Sequence, residues 1–243
     1  MNPTVKPLIV ITGASAGIGK ATAELFGKQG HSLLLLARRT ETMEALGLPN
    51  TLCRSIDVRD RNQLVEAVRA AEEKFGPVDA IVNNAGVLFL DELAKQDPGE
   101  WDKMIDINIK GLLNGIHAVA SGMIQRRRGT IFNVSSISGK KTFPKYAVYT
   151  ATKFAVHGLS ENLREELSAH NVRVITIAPG AVETELLSRA ADDAIKKGYQ
   201  EWKKEVSDVL VAEDVANAIS YAYNQPQNVC VREIVLSATR QKV

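Results

Sequence analysis

The sequence has little of what several classes of protein require. Its 243 residues include only two cysteines, Cys53 and Cys230, which stand far apart and outside any CxxC pattern. A disulfide framework is therefore not expected, and the cysteine content fits a reducing compartment. The four histidines are scattered along the chain without the spacing of metal ligands, so we predict no metal site.

Charge and hydropathy exclude two further classes. Lysine and arginine number 30 against 28 acidic residues, and a formal net charge of +2 is not the strongly basic footprint of a nucleic-acid-binding protein. No apolar run approaches the roughly 18 residues that span a bilayer. A strand and glycine motif begins by Leu8, which leaves no room for a signal peptide. We therefore expect a cytoplasmic protein that binds neither nucleic acid nor membranes.

What the sequence does contain is a regular alternation of short apolar runs and amphipathic stretches. Strands are predicted over residues 8–12, 32–37, 51–56, 80–83, 130–135, 172–178 and 233–236, and helices over 20–29, 61–75, 101–125, 146–170 and 212–224. This order predicts βαβ units and an α/β fold in a single domain: a doubly wound parallel sheet of the Rossmann type, about seven strands, with helices on both faces. The polar, weakly periodic stretch 183–208 is predicted to be a mobile substrate lid.

A glycine-rich turn follows the first predicted strand. Residues 12–19 read TGASAGIG, a GxxxGxG spacing rather than GxGxxG. Glycines at such a turn let the backbone approach a pyrophosphate, whose charge the N-terminus of the following helix stabilises. The alternative is an ordinary strand-to-helix turn.

The end of the second predicted strand indicates which dinucleotide the turn would bind. Sheets that prefer NAD carry a carboxylate there for the ribose 2′-hydroxyl, whereas this strand ends in Ala37, Arg38 and Arg39. Guanidinium groups bind phosphate oxygens in a bidentate way, so the arginines favour the 2′-phosphate of NADP, and Ser15 in the turn could assist. The alternative is that both arginines are solvated loop charges.

Polar motifs with chemical potential follow three later elements. Residues 83–86 read NNAG at the end of the fourth strand, and Ser136 follows the fifth. Tyr149 and Lys153 are four residues apart, so they share one helix face. An ammonium near a phenol favours the phenolate, and we therefore expect Lys153 to lower the pKa of Tyr149 and make it a general acid/base.

With these motifs in order, the sequence resembles the single-domain branch of the short-chain dehydrogenase/reductase family. The matching segments are TGxxxGxG at 12–19, NNAG at 83–86, the asparagine of DINIKG at 106–111, a serine thirteen residues before the tyrosine of YxxxK, and PGAVET at 179–184. The resemblance implies an enzyme that interconverts a carbonyl and an alcohol on a small-molecule substrate by hydride transfer from or to NADP(H). It also implies a homo-oligomer, a dimer or tetramer.

The resemblance implies a role for each matching residue. Tyr149 exchanges a proton with the substrate oxygen, Lys153 tunes Tyr149 and binds the nicotinamide ribose, Ser136 holds the carbonyl oxygen, and Asn108 fixes a water in a proton relay. The predicted cofactor-binding residues, from the turn, the second strand and the resemblance together, are Gly13, Ser15, Gly17, Ile18, Gly19, Arg38, Arg39, Asp57, Val58, Asn83, Ala85, Gly86, Tyr149, Lys153, Pro179, Gly180, Val182 and Thr184.

Other functions remain open at this point. One is an NADPH-binding protein with little or no turnover, in which a rigid, dry pocket enhances the fluorescence of bound NADPH; residues 139–144 and 225–233 resemble bacterial NADPH-binding relatives that include a blue fluorescent one. An NAD-preferring dehydrogenase is disfavoured by Arg38, and a sugar-nucleotide epimerase by the short segment after Pro179. Lys140 and Lys141 could favour an acidic substrate, or lie in a solvated loop.

Overall fold

The computed structural model of the protein describes residues 6–184, 186, 193–206 and 209–242. The strands are β1 (Lys6–Thr12), β2 (His31–Ala37), β3 (Thr51–Ser55), β4 (Val78–Asn83), β5 (Gly129–Val134), β6 (Val172–Pro179) and β7 (Glu233–Leu236). The α-helices are α1 (Gly17–Lys28), α2 (Thr40–Glu44), α3 (Arg61–Phe75), α4 (Pro98–Ile105), α5 (Leu112–Arg126), α6 (Ala147–Ser168), α7 (Asp193–Val206) and α8 (Ala212–Tyr223).

All seven strands form one parallel sheet in the order β3-β2-β1-β4-β5-β6-β7. The chain proceeds outward from β1 to β3, returns to the centre at β4, and then proceeds outward again to β7. The strand order therefore reverses between β1 and β4, and ligands of such sheets bind in the crevice beyond the carboxyl ends at that point. The predicted doubly wound fold is confirmed.

The core lies on both faces of the sheet because side chains of a strand alternate between faces. In β1, Leu8 and Val10 belong to the apolar cluster under α3, α5 and α6, whereas Ile9 and Ile11 belong to the cluster under α1 and α8. All four side chains are fully buried. Strands that are covered on both faces read as continuous apolar runs, which explains why the sequence LIVIT predicted a buried parallel strand.

The helical stretch before β5 differs from the single predicted helix over 101–125. It begins at Pro98, where the side chain of Asp97 accepts a hydrogen bond from the backbone N–H of Gly99 (2.9 Å) and caps α4. A π-helical turn (Asp106–Gly111) then separates α4 from α5. Such turns insert one residue into a helix and re-aim the side chains that follow, often at functional sites. The sequence pattern also did not predict the short helix α2.

The segment predicted to be a lid lies partly outside the described residues, at 185, 187–192 and 207–208. Within the segment, the structure contains the helix α7, which was not predicted. A parallel bridge between Val182 and Leu210 joins the chain on either side of the segment. Among the described residues, no helix combines the length and apolar character needed to cross a membrane.

Candidate active site

A cleft of about 870 Å³ opens beyond the carboxyl ends of the strands. It is continuous from the glycine turn after β1, past the ends of β2 and β3, to the start of α6. The predicted site residues that line it are Gly13, Ser15, Gly17, Ile18, Arg38, Arg39, Asp57, Val58, Ala85, Gly86, Ser136, Tyr149, Lys153, Pro179, Gly180, Val182 and Thr184. The folding of the chain therefore brings together residues that are as much as 171 positions apart (13 to 184).

The glycine turn has the backbone that a phosphate cradle requires. Gly13 (φ 67°) and Gly17 (φ 51°) adopt left-handed conformations that L side chains rarely adopt. A Cβ atom at Gly19 would collide with the carbonyl oxygen of Gly13, so Gly19 packs the turn and does not line the cleft. No side chain caps α1 at Ala16, which leaves its first N–H groups available to an anion.

The NNAG segment supports this turn through Asn84, which the sequence analysis did not single out. Its side-chain Nδ2 donates to the carbonyl oxygens of Thr12 (3.0 Å) and Gly13 (3.3 Å). The hydroxyl of Thr12 in turn accepts from the backbone N–H groups of Asn84 and Ala85, both at 3.0 Å. These bonds fix β1 and β4 at the point where the strand order reverses.

Asn83, by contrast, does not line the cleft. Its side chain is buried and donates from Nδ2 to Oδ1 of Asn133 on the neighbouring strand β5 (2.9 Å). Successive residues of a strand point to opposite faces, so only one of the two asparagines can face the glycine turn. The side chain of Asn83 is thus a link within the sheet, whereas Asn84 lies at the cleft, and the expected contact of Asn83 with the cofactor stays a prediction.

Positive charge is concentrated at the end of the cleft beyond β2 and β3. Arg38 is exposed and lines the cleft, and Arg39 donates to the hydroxyl of Ser15 (3.4 Å). The carboxylate of Asp57 is bound in a bidentate way by Arg59, at 3.0 and 2.7 Å. This hydrogen bonding lowers the pKa of Asp57. Arg59, which also lines the cleft, was not predicted from the sequence.

Tyr149, Ser136 and Lys153 meet at the opposite end of the cleft. Tyr149 and Lys153 are buried on consecutive turns of α6, and the Lys153 ammonium lies 5.6 Å from the centre of the Tyr149 ring. Lys153 Nζ donates to the carbonyl oxygen of Val134 at the end of β5 (3.0 Å). Ser136 Oγ accepts from the N–H of Ser138 (3.1 Å), which leaves its hydroxyl hydrogen available to Tyr149 or to a substrate oxygen.

Burial sets the protonation of this group. It raises the pKa of the Tyr149 phenol, against the opposing effect of a hydrogen bond with Ser136, and it lowers the pKa of Lys153 to about 8. The expectation that Lys153 would lower the pKa of Tyr149 is not met in this structure, because desolvation is the largest cause at both groups. At neutral pH the phenol therefore holds its proton.

Asn108 lies in the π-helical turn and does not line the cleft. Its side chain is fully engaged: Oδ1 accepts from the N–H of Val87 (2.8 Å), and Nδ2 donates to Val87 O (3.0 Å) and to the Thr152 hydroxyl (3.1 Å). These bonds join the loop after β4 to α6 at Thr152, next to Lys153. The predicted role of Asn108 in holding a relay water stays a prediction.

The loop after β6 is held by the C-terminal tail. Gly180 N–H donates to Leu236 O (2.7 Å), and Ala181 N–H donates to Oε1 of Gln241 (3.1 Å). A Cβ atom at Gly180 would collide with the Gln241 side chain, so the two segments are in direct contact. Gln241 also lines the cleft and was not predicted, since nothing in the local sequence of the tail indicates the contact.

The end of the cleft beside Tyr149 is lined mainly by aromatic and apolar side chains. Its wall includes Phe89, Phe143, Tyr146 and Trp202, with the lysines Lys103 and Lys145 beside them. Neither of the two lysines suggested by the sequence lines the cleft: Lys140 pairs with Glu233 (2.8 Å), and Lys141 lies over the Phe143 ring (5.8 Å). Within the described part of the chain, no group of three or more His, Cys, Asp or Glu could hold a metal ion.

Comparison with known proteins agrees with this geometry. The profile of the short chain dehydrogenase family matches residues 7–195, and the chain belongs to this family. Its similarity to curated oxidoreductases also identifies it as an oxidoreductase of this family. Over 242 residues it is 40% identical to the uncharacterized oxidoreductase Lmo0432 of Listeria monocytogenes, covering 96% of this chain and 97% of that one.

Two solved structures with the same fold hold NADP⁺ or an NADP derivative. The closed form of serine dehydrogenase complexed with NADP⁺ is 31% identical and has a TM-score of 0.89, covering 97% of this chain and 96% of that one. The alcohol dehydrogenase of the archaeon Thermococcus sibiricus, complexed with 5-hydroxy-NADP, is 25% identical and has a TM-score of 0.84, covering 98% and 99%.

Proposed function

We propose that this protein is an NADP(H)-dependent oxidoreductase that interconverts a carbonyl and an alcohol, with Tyr149 as the general acid/base. The observation that carries the proposal is one cleft with two distinct ends. At one end lie the buried side chains of Tyr149, Ser136 and Lys153. At the other end Arg38 follows β2, at the position where NAD-preferring sheets have a carboxylate. The NADP in the related solved structures supports the same cofactor here.

The residues of the cleft fit NADP(H). The left-handed glycines and the uncapped start of α1 suit the pyrophosphate, and Arg38 suits a 2′-phosphate. Asp57 and Val58 would contact the adenine, and the loop over 179–184 would hold the carboxamide of the nicotinamide. When bound, the cofactor supplies the hydride chemistry, and the protein orients it and moves the proton.

In the direction of reduction, the protein would act as the proton donor. The Tyr149 phenol holds its proton at neutral pH and would deliver it to the substrate oxygen while Ser136 donates a hydrogen bond to that oxygen. Lys153, whose pKa is about 8, would be able to return a proton to Tyr149 near neutral pH. In the direction of oxidation the same groups would exchange the proton in reverse.

The aromatic wall indicates the substrate class that the site supports best. The ring of Tyr146 lies edge-on to that of Tyr149, and Phe143 packs against Tyr146. With Phe89 and Trp202 these rings line the cleft, so we propose an aldehyde or ketone carried on an apolar or aromatic group. Trp202 lies on α7, within the segment over 183–208 that we propose as a substrate lid.

A second candidate substrate class is a hydroxy acid or hydroxy amino acid. Lys103 and Lys145 line the cleft and would attract a carboxylate, and the related structure described above is a serine dehydrogenase. Turnover of serine and of simple hydroxy acids with NADP⁺ would favour this class over the apolar one.

The test measures cofactor binding and turnover separately. Fluorescence titration with NADPH and NADH gives the two affinities, and NADPH consumption is then followed against aldehydes, ketones and keto acids. Tyr149→Phe should lower kcat by about 10²-fold to 10⁴-fold while NADPH binding persists. Tyr146→Phe is the matched control, because Tyr146 lines the same cleft and should keep its turnover.

Three outcomes would contradict the proposal. Tight NADPH binding without turnover on any substrate would favour an NADPH-binding protein, and enhanced fluorescence of the bound nucleotide would support it. Tighter binding of NADH than of NADPH would contradict the role of Arg38. Equal turnover in Tyr149→Phe and wild type would remove Tyr149 as the acid/base.

We further propose a cytoplasmic homo-oligomer. Both cysteines of the chain, Cys53 and Cys230, are free thiols, which suits a reducing compartment. On α6, an exposed face combines small residues with one large apolar side chain, Phe154, which is 45% exposed. A face of this kind permits close packing of a second helix.

A further inference from the structure

A polar cluster lies beside the catalytic residues, and of its four members only Ser135 lines the cofactor cleft. It consists of Ser135, Lys140, His157 and Glu233, and the four side chains come from the end of β5, the loop that follows, α6 and β7. We call it the His157 cluster. Lys140, His157 and Glu233 do not line the cleft and have no part in the proposed chemistry.

His157 is bonded on both sides of its ring. Its Nε2 lies 2.9 Å from Oε1 of Glu233, and the other carboxylate oxygen accepts from Nζ of Lys140 (2.8 Å). A carboxylate only accepts hydrogen bonds, so Nε2 carries a proton and the ring orientation is fixed by Glu233. The Glu233 carboxylate therefore joins β7, α6 and the loop after β5.

The other ring nitrogen faces the backbone of the catalytic residues. Nδ1 of His157 lies 2.9 Å from Oγ of Ser135 and 3.1 Å from the carbonyl oxygen of Lys153. The hydroxyl of Ser135 also donates to that carbonyl (3.2 Å). Ser135 immediately precedes the catalytic Ser136, so a single imidazole contacts both the side chain next to Ser136 and the backbone carbonyl of Lys153.

The loop that carries Ser136 is in direct contact with the ring. A Cβ atom at Gly139 would collide with His157 Nδ1 and Cε1, and would lie 2.7 Å from the carbonyl oxygen of Lys153. The glycine thus allows the loop to approach the ring as closely as a backbone can. The side chain of His157 is 18% exposed, so this contact is largely shielded from solvent.

We propose that His157 is a positioning residue, oriented by Glu233 and Lys140, which sets the distance between Ser136 and Lys153 across the β5–α6 junction. The proposal rests on the proposed function, since it concerns the geometry of the same catalytic group. Its consequence is specific: loss of His157 lowers kcat much more than it weakens NADPH binding, because the cluster touches Lys153 at the nicotinamide end of the cleft and lies away from the glycine turn and from Arg38.

The experiment compares substitutions at His157 with a control on the next turn of α6. His157→Ala removes both ring contacts, and His157→Asn keeps a polar atom near the position of Nδ1. The control is Glu161→Gln, because the exposed Glu161 bonds to Arg164 and to Arg232 beside β7 without touching the catalytic backbone. For each protein, kcat, the KM of the carbonyl substrate and the Kd of NADPH are measured.

We expect kcat to fall by about 10-fold to 100-fold in His157→Ala, the effect of a small misplacement of catalytic groups, with a much smaller change in the Kd of NADPH. His157→Asn should recover part of the loss, and Glu161→Gln should match wild type. Should His157→Ala not fold, Glu233→Gln provides the test, with a smaller fall in kcat.

Four results would overturn the proposal. The first is an unchanged kcat in His157→Ala, and the second is a Kd of NADPH that weakens in parallel with kcat. The third is an equal loss in Glu161→Gln, and the fourth is no recovery in His157→Asn. An inactive wild type would instead refute the proposed function, and this proposal with it, whereas an active wild type with unaffected variants refutes the positioning role alone.

Discussion

Replacement of Arg38 by leucine tests which part of the cleft selects the cofactor. Arg38 follows the last residue of β2, lines the cleft and is exposed to solvent. Leucine keeps an apolar stem of similar length and removes the guanidinium group. NADP differs from NAD only by the 2′-phosphate, so the substitution should weaken NADPH binding and leave NADH binding unchanged.

The size of the effect follows from the exposure of Arg38. Hydrogen bonds to charged groups contribute about 1.5–3 kcal/mol, and about 1.4 kcal/mol corresponds to a tenfold change in Kd. Solvent screens an exposed guanidinium, so the lower end of this range applies. We therefore expect the Kd of NADPH to rise about 10-fold in Arg38→Leu.

Fluorescence titrations with NADPH and NADH, at one fixed salt concentration, measure this difference directly. Arg39→Leu is the matched control, because Arg39 adjoins Arg38 and donates to Ser15, and its removal should weaken NADPH binding less. Equal losses for NADPH and NADH in Arg38→Leu would refute the reasoning, since they would show that Arg38 supports the fold of the cleft and not the phosphate. A larger loss in Arg39→Leu would move the assignment to that residue.

Three further predictions address the turn, the buried lysine and the assembly. Gly19→Ala should abolish NADPH binding, because the new Cβ would collide with the Gly13 carbonyl, whereas Gly158→Ala, which meets nothing within 4 Å, should bind normally in the same titration. The pKa of Lys153 falls from an ordinary value of 10.5 to about 8 in the folded chain. Between these two pH values the unfolded chain binds more protons than the folded chain, so the free energy of unfolding should rise with pH. Thermal melts should show this rise in wild type and not in Lys153→Met. Phe154→Glu should lower the mass measured by light scattering, and a wild type that is already monomeric would contradict the proposed oligomer.

The fold was predictable because its signals are local. A strand covered on both faces is largely apolar, and β2 and β6, which are buried at every position, show this in the sequence itself outside His31, Ser32, Arg173 and Thr176. The segments that were not predicted have weak local signals. Helix α2 has five residues, and α7 lies in a polar stretch whose pattern gave no clear period.

The candidate site was predictable where its chemistry depends on short spacing. Tyr149 and Lys153 are one helical turn apart, and the three glycines of the loop after β1 lie within seven residues of one another. Both arrangements depend on local geometry and not on how the helices pack on the sheet. The pKa of Tyr149 was not predictable in this way. Burial, which only the folded chain provides, is the largest cause and raises this pKa, opposite to the expected direction.

The sequence by itself determined the order of strands and helices, the glycine turn, the arginines after β2 and the tyrosine–lysine pair. The tertiary structure decided which asparagine faces the cleft, because Asn133 of the adjacent strand binds Asn83 and leaves Asn84 to hold the glycine turn. It also decided that Glu233 reaches His157, 76 residues earlier in the chain. Contacts of this kind depend on how β6 and β7 are placed beside α6, and no local periodicity or spacing encodes that placement.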